Sequence, residues 1–285
     1  MSQGVTAKAM FNPDGSFVDA RVLGRAKKLN IIAGSMGALW FSLCMTDFLR
    51  LFASDLKATD PQIGLLTTVA SFAGVFQIVG AYSSEWLGKR KALWAIAEMA
   101  RRLILGLVIL LPFAFAGRFD RGVTLLLVIV AVSSALANIS ATPWLSWIAD
   151  LIPQKERGRF FGWRSAIVNM VIIVMLPVFG KILDQFTGNR FNGFALVFGA
   201  GLAIGVTDII VHWFIPEPPM KKTEGKLNIV KMVTQPLKDR NFRRFFVGWG
   251  IFSFGIFITL PFYAVYFRGT LGIGYAFFGI LTSVN

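Results

Sequence analysis

Long apolar runs with few charges dominate this chain and decide most of what it can fold into. Each is close to the ~20 residues that cross ~30 Å of hydrocarbon at ~1.5 Å per residue. Seven complete spans are expected, running approximately Ile31 to Leu49, Gln62 to Ser83, Ala92 to Ala116, Val123 to Ile148, Gly162 to Leu183, Phe194 to Ile215 and Phe245 to Phe267. An eighth run begins near Tyr275 and reaches Asn285 after about a dozen residues, too few for a crossing. The expected fold class is all-α, a polytopic transmembrane helical bundle.

Composition agrees with that reading, while charge at first points elsewhere. The 285 residues are 55% apolar with a mean hydropathy of +0.64, which excludes an ordinary soluble domain. A net charge of +14 and a pI near 10.3 would suggest nucleic acid in a soluble chain. The positions of the 29 Lys and Arg residues argue otherwise. Met1 to Asn30 is polar and lacks the apolar core of a signal peptide, so it reads as a cytoplasmic tail. With the tail inside, nineteen basic residues fall in the tail and in the loops after spans two, four and six. Six fall in the opposite loops, which orients the chain with its N-terminus in the cytoplasm. The expected location is the cell membrane (inner or plasma membrane), with the lipid bilayer as partner and no nucleic acid. One cysteine, Cys44, and one histidine, His212, leave no intramolecular disulfide and no zinc site of the usual kind, and no cofactor is called for.

A shift of 215 residues lays the end of span one and the start of span two on the end of span seven and the start of run eight. Phe52, Leu56, Gly64, Leu66, Thr67 and Val69 then meet the identical residues Phe267, Leu271, Gly279, Leu281, Thr282 and Val284. The same register superposes two hairpins on one side of the membrane, the pattern of a parallel internal repeat.

The loop after span two, Ser84-Glu85-Trp86-Leu87-Gly88-Lys89-Arg90-Lys91, resembles the signature loop of the major facilitator superfamily, an acidic residue followed by glycine and a basic cluster. Glu85 stands where aspartate is usual and Trp86 where a basic residue is common. Asp150-Leu-Ile-Pro-Gln-Lys-Glu-Arg-Gly-Arg159, after span four, is similar to the equivalent loop of that superfamily, and the hairpin Ala58 to Leu66 adds a third similarity. The resemblance implies two six-helix lobes in a chain of about 430 residues. It divides these 285 into a tail (1–30), a first lobe (31–215), a cytoplasmic linker (216–244) and the opening of a second lobe (245–285). It also implies a secondary transporter of a small solute working by alternating access, monomeric when full length, with H+ or Na+ as candidate coupling ions. A non-transporting sensor or assembly factor on the same scaffold is the alternative; no nucleophile beside a base and no phosphate-binding loop supports an enzyme.

Ionisable groups inside hydrocarbon are costly and face partners or cavities. Span three carries Glu98, Arg101 and Arg102, followed by only fourteen residues to Ala116, about 21 Å of helix, so part of the charged turn is immersed. Either the triad neutralises itself and snorkels to the surface, or Arg102 keeps charge for an anion. On span one Trp40, Cys44 and Asp47 share a helical face that the resemblance turns toward the central cavity, although Asp47 also lies three residues from Arg50. Span four sets Ser134, Asn138 and Thr142 in a stripe before Pro143 and Trp144, with Arg164, Ser165 and Asn169 of span five nearby. Trp40, Cys44, Asp47, Arg102, Ser134, Asn138, Thr142, Trp144 and Asn169 are the candidate substrate-binding residues.

Asp47, Glu98 and Asp208 are the proton-coupling candidates. Asp208 lies one turn from His212 on span six, which the resemblance places at the periphery, so a packed histidine is expected there. Ala195, Gly199, Gly201 and Gly205 fit close helix packing. Pro177-Val-Phe-Gly180 resembles part of an antiporter signature, with Leu176 and Lys181 departing from it. Glu85, Lys89, Arg90, Asp150, Arg157 and Arg159 are candidates for an inner gate of charge pairs, with Gly88 and Gly158 expected in tight turns. Lys226 to Thr234 reads either as a short interfacial helix or as a solvated tether.

Overall fold

In the computed structural model residues 19–220 and 229–283 are described, and every regular element among them is helical. Helix α1 (Ala20–Cys44) is capped by the Asp19 carboxylate, which accepts from the Arg21 amide at 2.8 Å. It thus begins eleven residues ahead of the expected apolar span. Met45 and Thr46 interrupt it before α2 (Asp47–Asp55), with the Thr46 hydroxyl donating back to the Ser42 carbonyl at 2.6 Å. Helix α3 (Asp60–Phe72) opens with Pro61 and with Gln62 accepting from the Thr59 amide, then passes through a 3₁₀ turn, Ala73–Phe76, into α4 (Gln77–Leu87). Gly88 ends it with φ +63°, a left-handed C-cap that glycine adopts freely.

Next come α5 (Arg90–Gly106), a 3₁₀ segment Leu107–Leu110 and α6 (Leu111–Ala114), then the long α7 (Phe119–Leu151), α8 (Arg157–Asp184) and α9 (Arg190–Trp213). After the linker follow α10 (Ile229–Lys238), α11 (Arg240–Thr259), a 3₁₀ turn Leu260–Phe262, α12 (Tyr263–Gly269) and α13 (Tyr275–Ser283). The tail before Asp19 and the first part of the expected interfacial helix, Lys226 to Asn228, lie outside the described residues.

Among the described residues six helices, not seven, are long and apolar enough to cross a membrane. The expected third span is the helical stretch Arg90–Ala114, and its Glu98, Arg101 and Arg102 take it out of that set. These charges do not snorkel. They are buried in the bundle, where α5 lies against α7 and α9.

Helix α1 packs on α9 and α8, and α7 gathers α3, α4 and α5. Two of the four small residues on α9 explain its close approach to α1. A β-carbon on Gly201 would sit 2.7 Å from Cys44 Sγ, and one on Gly205 2.7 Å from the Trp40 ring, whereas Gly199 faces open space. The 215-residue register reappears in the backbone. The break at Met45 and Thr46 matches the 3₁₀ turn at Leu260 and Pro261, the left-handed Lys57 (φ 63°) matches Gly272 (φ 65°), and the α3 start at Asp60 matches the α13 start at Tyr275.

The last two helical runs meet the first six chiefly at the end bearing the 55–60 and 270–274 hairpins. Helix α13 lies on α8, where a β-carbon on Gly180 would come within 2.3 Å of the Tyr275 carbonyl oxygen and one on Gly279 within 2.9 Å of the Leu176 carbonyl. The Asp184 carboxylate caps α13, accepting from the Tyr275 and Ala276 amides at 2.9 Å each, and the Tyr275 hydroxyl donates to Asp55. Helix α11, by contrast, contributes no buried residue. Gly180→Leu is therefore expected to destabilise the protein by about 1–3 kcal/mol through overpacking, while Gly199→Ala, which meets nothing within 4 Å, is neutral or stabilising by up to ~1 kcal/mol. Thermal unfolding of the two variants in detergent checks the contrast.

Candidate functional site

The interruption after Cys44 turns the chain so that residues on either side of it face different surroundings. Trp40 and Cys44 point at α9 and are buried, and Asp47 sits on a separate helix. The three sequence candidates of span one therefore share no single face. Phe41, Met45, Thr46, Leu49 and Arg50 instead line a cavity of about 340 Å³. Its other walls are Leu66, Thr67, Ala70 and Ser71 of α3, Arg101 of α5, Val130, Ser134, Ala137 and Asn138 of α7, and Phe257 and Leu260 of the seventh span. Of the sequence candidates, Ser134 and Asn138 line it. Asn138 Oδ1 accepts from Gln77 Nε2 at 3.0 Å, and Arg50 spans Asp47 at 2.5 Å and Thr67 at 3.3 Å. Among the described residues no carboxylate lines the cavity.

Behind this wall runs a buried polar network that sequence reasoning found only in part. Glu98 accepts from Arg101 at 3.2 Å, from Arg102 and from the Ser140 hydroxyl at 2.5 Å. Arg102 reaches across to Asp208 of α9 at 2.5 Å, and the other Asp208 oxygen meets His212 Nδ1 at 2.7 Å. Arg102 and Asp208 are each 2% exposed. The charge that Arg102 would otherwise hold for an anion is thus committed to Asp208. The Trp40 ring centroid lies 4.6 Å from the Arg101 guanidinium and 4.4 Å from that of Arg102, within cation–π range of both. The Trp144 indole N–H donates to His212 Nε2 at 3.4 Å, so the ring proton belongs on Nδ1, facing Asp208. Arg164 stacks on Trp144 at 5.2 Å and holds Asn30 Oδ1 at 3.0 Å. Span six turns Asp208 inward to α5 and α1, while Leu196 and Ile210 on its other side are exposed. His212 is packed, as expected, at 4.5 Å from the Trp94 ring. The missed signal is the pairing of two spans that each carry an unbalanced charge, Arg102 and Asp208.

At the basic end a second cluster forms. Arg90, 1% exposed, donates to Asp150 at 2.6 Å, to Ser146 at 3.0 Å and to the Pro218 carbonyl at 3.0 Å, with Glu217 3.7 Å from its Nε. Glu217 caps α5, accepting from the Arg90 amide at 2.8 Å, while Lys91 caps α9 by donating to the Trp213 and Ile215 carbonyls at 2.6 and 2.9 Å. Burial pulls the Lys91 pKa down, against the opposing pull of Glu217.

The remaining loop candidates scatter. Arg157 holds the Ile152 carbonyl at 3.0 Å, and Gly158 lies in the first turn of α8, so it makes no tight turn. Glu156, just before Arg157, pairs with Lys27. Thr142 reaches the Gln77 carbonyl at 3.3 Å outside the cavity wall, and Asn169 is exposed. Lys89 is the residue before α5, Arg159 follows Gly158 in α8, and Glu85 is in the last turn of α4.

Removing one member of a buried charge set leaves its partners uncompensated. Asp208→Asn is expected to cost about 3–5 kcal/mol in unfolding free energy. Glu156→Gln, at an exposed pair, is expected to cost about 0–1 kcal/mol. Denaturant titrations of both variants in one detergent measure the difference.

The comparison with curated proteins gave no match. The sequence model of the Major Facilitator Superfamily, however, matches residues 29–285, which takes in all the elements from α1 onward except the first turns of that helix. The paired hairpins, five of the six long apolar helices and most of the first, and the Arg90 cluster at the basic end lie within that match. The chain is a multi-pass membrane protein and belongs to the Major Facilitator Superfamily of transporters.

Proposed function

We propose that the protein is a secondary transporter that carries a small solute by alternating access, with the cavity beside Arg101, Ser134 and Asn138 as its binding site. One observation carries the reading. The cavity is walled by both repeat units, by α1, α3, α5 and α7 on one side and by Phe257 and Leu260 on the other. The two units meet mainly at the hairpin end, through Gly180, Gly279 and Asp184, so they are free to part toward the basic end. With the basic end in the cytoplasm of a cell membrane, as the 19 to 6 division of basic residues favours, this is an inward-facing arrangement. The Arg90, Asp150 and Glu217 cluster then serves as the cytoplasmic clamp within the first lobe. Asp47, tied to Arg50 at the cavity wall, is the proton-coupling candidate nearest the solute; Glu98 and Asp208 act behind it.

Sided labelling tests this without a known solute. In proteoliposomes, Asn138→Cys is expected to react with a membrane-impermeant thiol reagent from the basic side and, in a second population, from the hairpin side. A β-carbon on Gly274 would lie 3.7 Å from Asp184 Cγ, so Asp184→Cys with Gly274→Cys should form a disulfide that removes hairpin-side labelling until it is reduced. Labelling confined to one side under all conditions, or unchanged by the disulfide, overturns alternating access.

A further inference from the structure

The buried network divides its charge unevenly, and its least neutralised member borders the cavity. Two buried guanidinium groups, Arg101 and Arg102, face two buried carboxylates, Glu98 and Asp208. Arg102 pairs with both carboxylates and Arg101 with Glu98 alone. Asp47 pairs with Arg50. Arg101 is therefore the least compensated cation of the buried set, in surroundings where an uncompensated ion is expensive.

Geometry locates that charge. Arg102 lies at the centre with a carboxylate on each side, and Arg164 is anchored on Asn30 and Trp144. Arg101 has only a share of Glu98, through Nη1, and it alone of the three lines the cavity. Its residue is 7% exposed, and its Nε has no hydrogen-bond partner among the described residues. Ser134, 3% exposed and lining the same cavity, likewise has an Oγ without a partner. Arg101 Nε and Ser134 Oγ are buried atoms without partners on two residues that line one space, and among the described residues no carboxylate lines it, so the wall offers donors for an acceptor. The rest of the wall is largely apolar and includes Phe41, Leu66 and Phe257, with Phe41 at 5.8 Å from the Arg101 guanidinium.

We infer that the cavity selects a small organic anion, a carboxylate with an apolar body, whose charged group completes the coordination of Arg101 and Ser134. A carboxylate would accept a charge-assisted hydrogen bond from the Arg101 guanidinium and complete its neutralisation, which Glu98 supplies only in part. The apolar body would lie against the phenylalanine and leucine walls, as in most small-molecule sites. This rests on the cavity being the solute site, and it deepens that reading by naming the chemical class.

The test reads the sign of the potential in the cavity and does not require transport. In the full chain with Cys44→Ala as background, Asn138→Cys is reacted with an anionic sulfonatoethyl and a cationic trimethylammonioethyl methanethiosulfonate, each rate normalised to a free thiol in solution. The anionic reagent is expected to react at least fivefold faster than the cationic one, and Arg101→Gln to abolish that preference while Arg101→Lys retains it. Benzoate at millimolar concentration should slow the anionic reaction at least fivefold, and benzamide and benzylamine should not. A ratio below fivefold in the parent, no reaction with either reagent, or equal protection by benzamide overturns the inference. Should Arg101→Gln fail to fold, the parent ratio and the three-ligand comparison decide alone. Sided labelling that alternates while the charge ratio is flat leaves a transporter of another solute class; a high ratio with one-sided labelling leaves an anion-binding protein that does not alternate.

Discussion

The bundle depends on the ion pair between Arg102 on α5 and Asp208 on α9. A helix with three ionisable residues in its middle does not partition into hydrocarbon by itself, and Arg90–Ala114 fails the apolarity that its six companions meet. It is accommodated because α5 is enclosed by α7, α9 and α1, each of which brings a partner for its charges. Ser140 comes from α7, Asp208 from α9 and the Trp40 ring from α1. Around this centre the helices must approach closely, and Gly205 leaves the room that the Trp40 and Arg102 side chains occupy. Buried pairs of this kind are weak sources of stability but costly to break, so they hold helices in one arrangement.

That centre is continuous with the cavity on one side and with Trp144 and Arg164 on the other. Arg101 is the member shared by network and cavity, and Trp144 the member shared by network and the half-exposed face of α7. A change of charge at either border is felt through a chain of direct hydrogen bonds and stacked rings. The basic-end clamp is separate in its contacts: Arg90 and Glu217 tie the start of α5 to the linker after α9, so the same two helices are joined at their middle and at their end. Helices α5 and α9 are thereby held to each other at two points, as the proposed rocking about the hairpin-end contact of α8 with α13 requires.

The sequence alone determined the class of the molecule. Apolar run length, the one-sided distribution of Lys and Arg, the loops around Gly88 and Asp150, and the 215-residue register are local or additive properties, and they survive without tertiary information. The register was informative down to single residues, since Lys57 and Gly272 adopt the same left-handed backbone. The stripe of Ser134 and Asn138 was legible because a helix puts i and i+4 on one face, and both do line the cavity.

What only tertiary structure decided were the partners. Trp40, Cys44 and Asp47 looked like one face because helical periodicity assumes an unbroken helix, and the Met45–Thr46 interruption removed that assumption. Gly158 looked like a turn residue beside its basic neighbours and became part of a helix. Glu98 with Arg101 and Arg102 gave no sign of Asp208, which lies 106 residues away from Arg102 in the chain and reaches it only through the crossing of α5 and α9. Charge pairing across helices depends on which faces meet, and that is set by the packing of small residues such as Gly201 and Gly205, a property of the assembled bundle and of no single span.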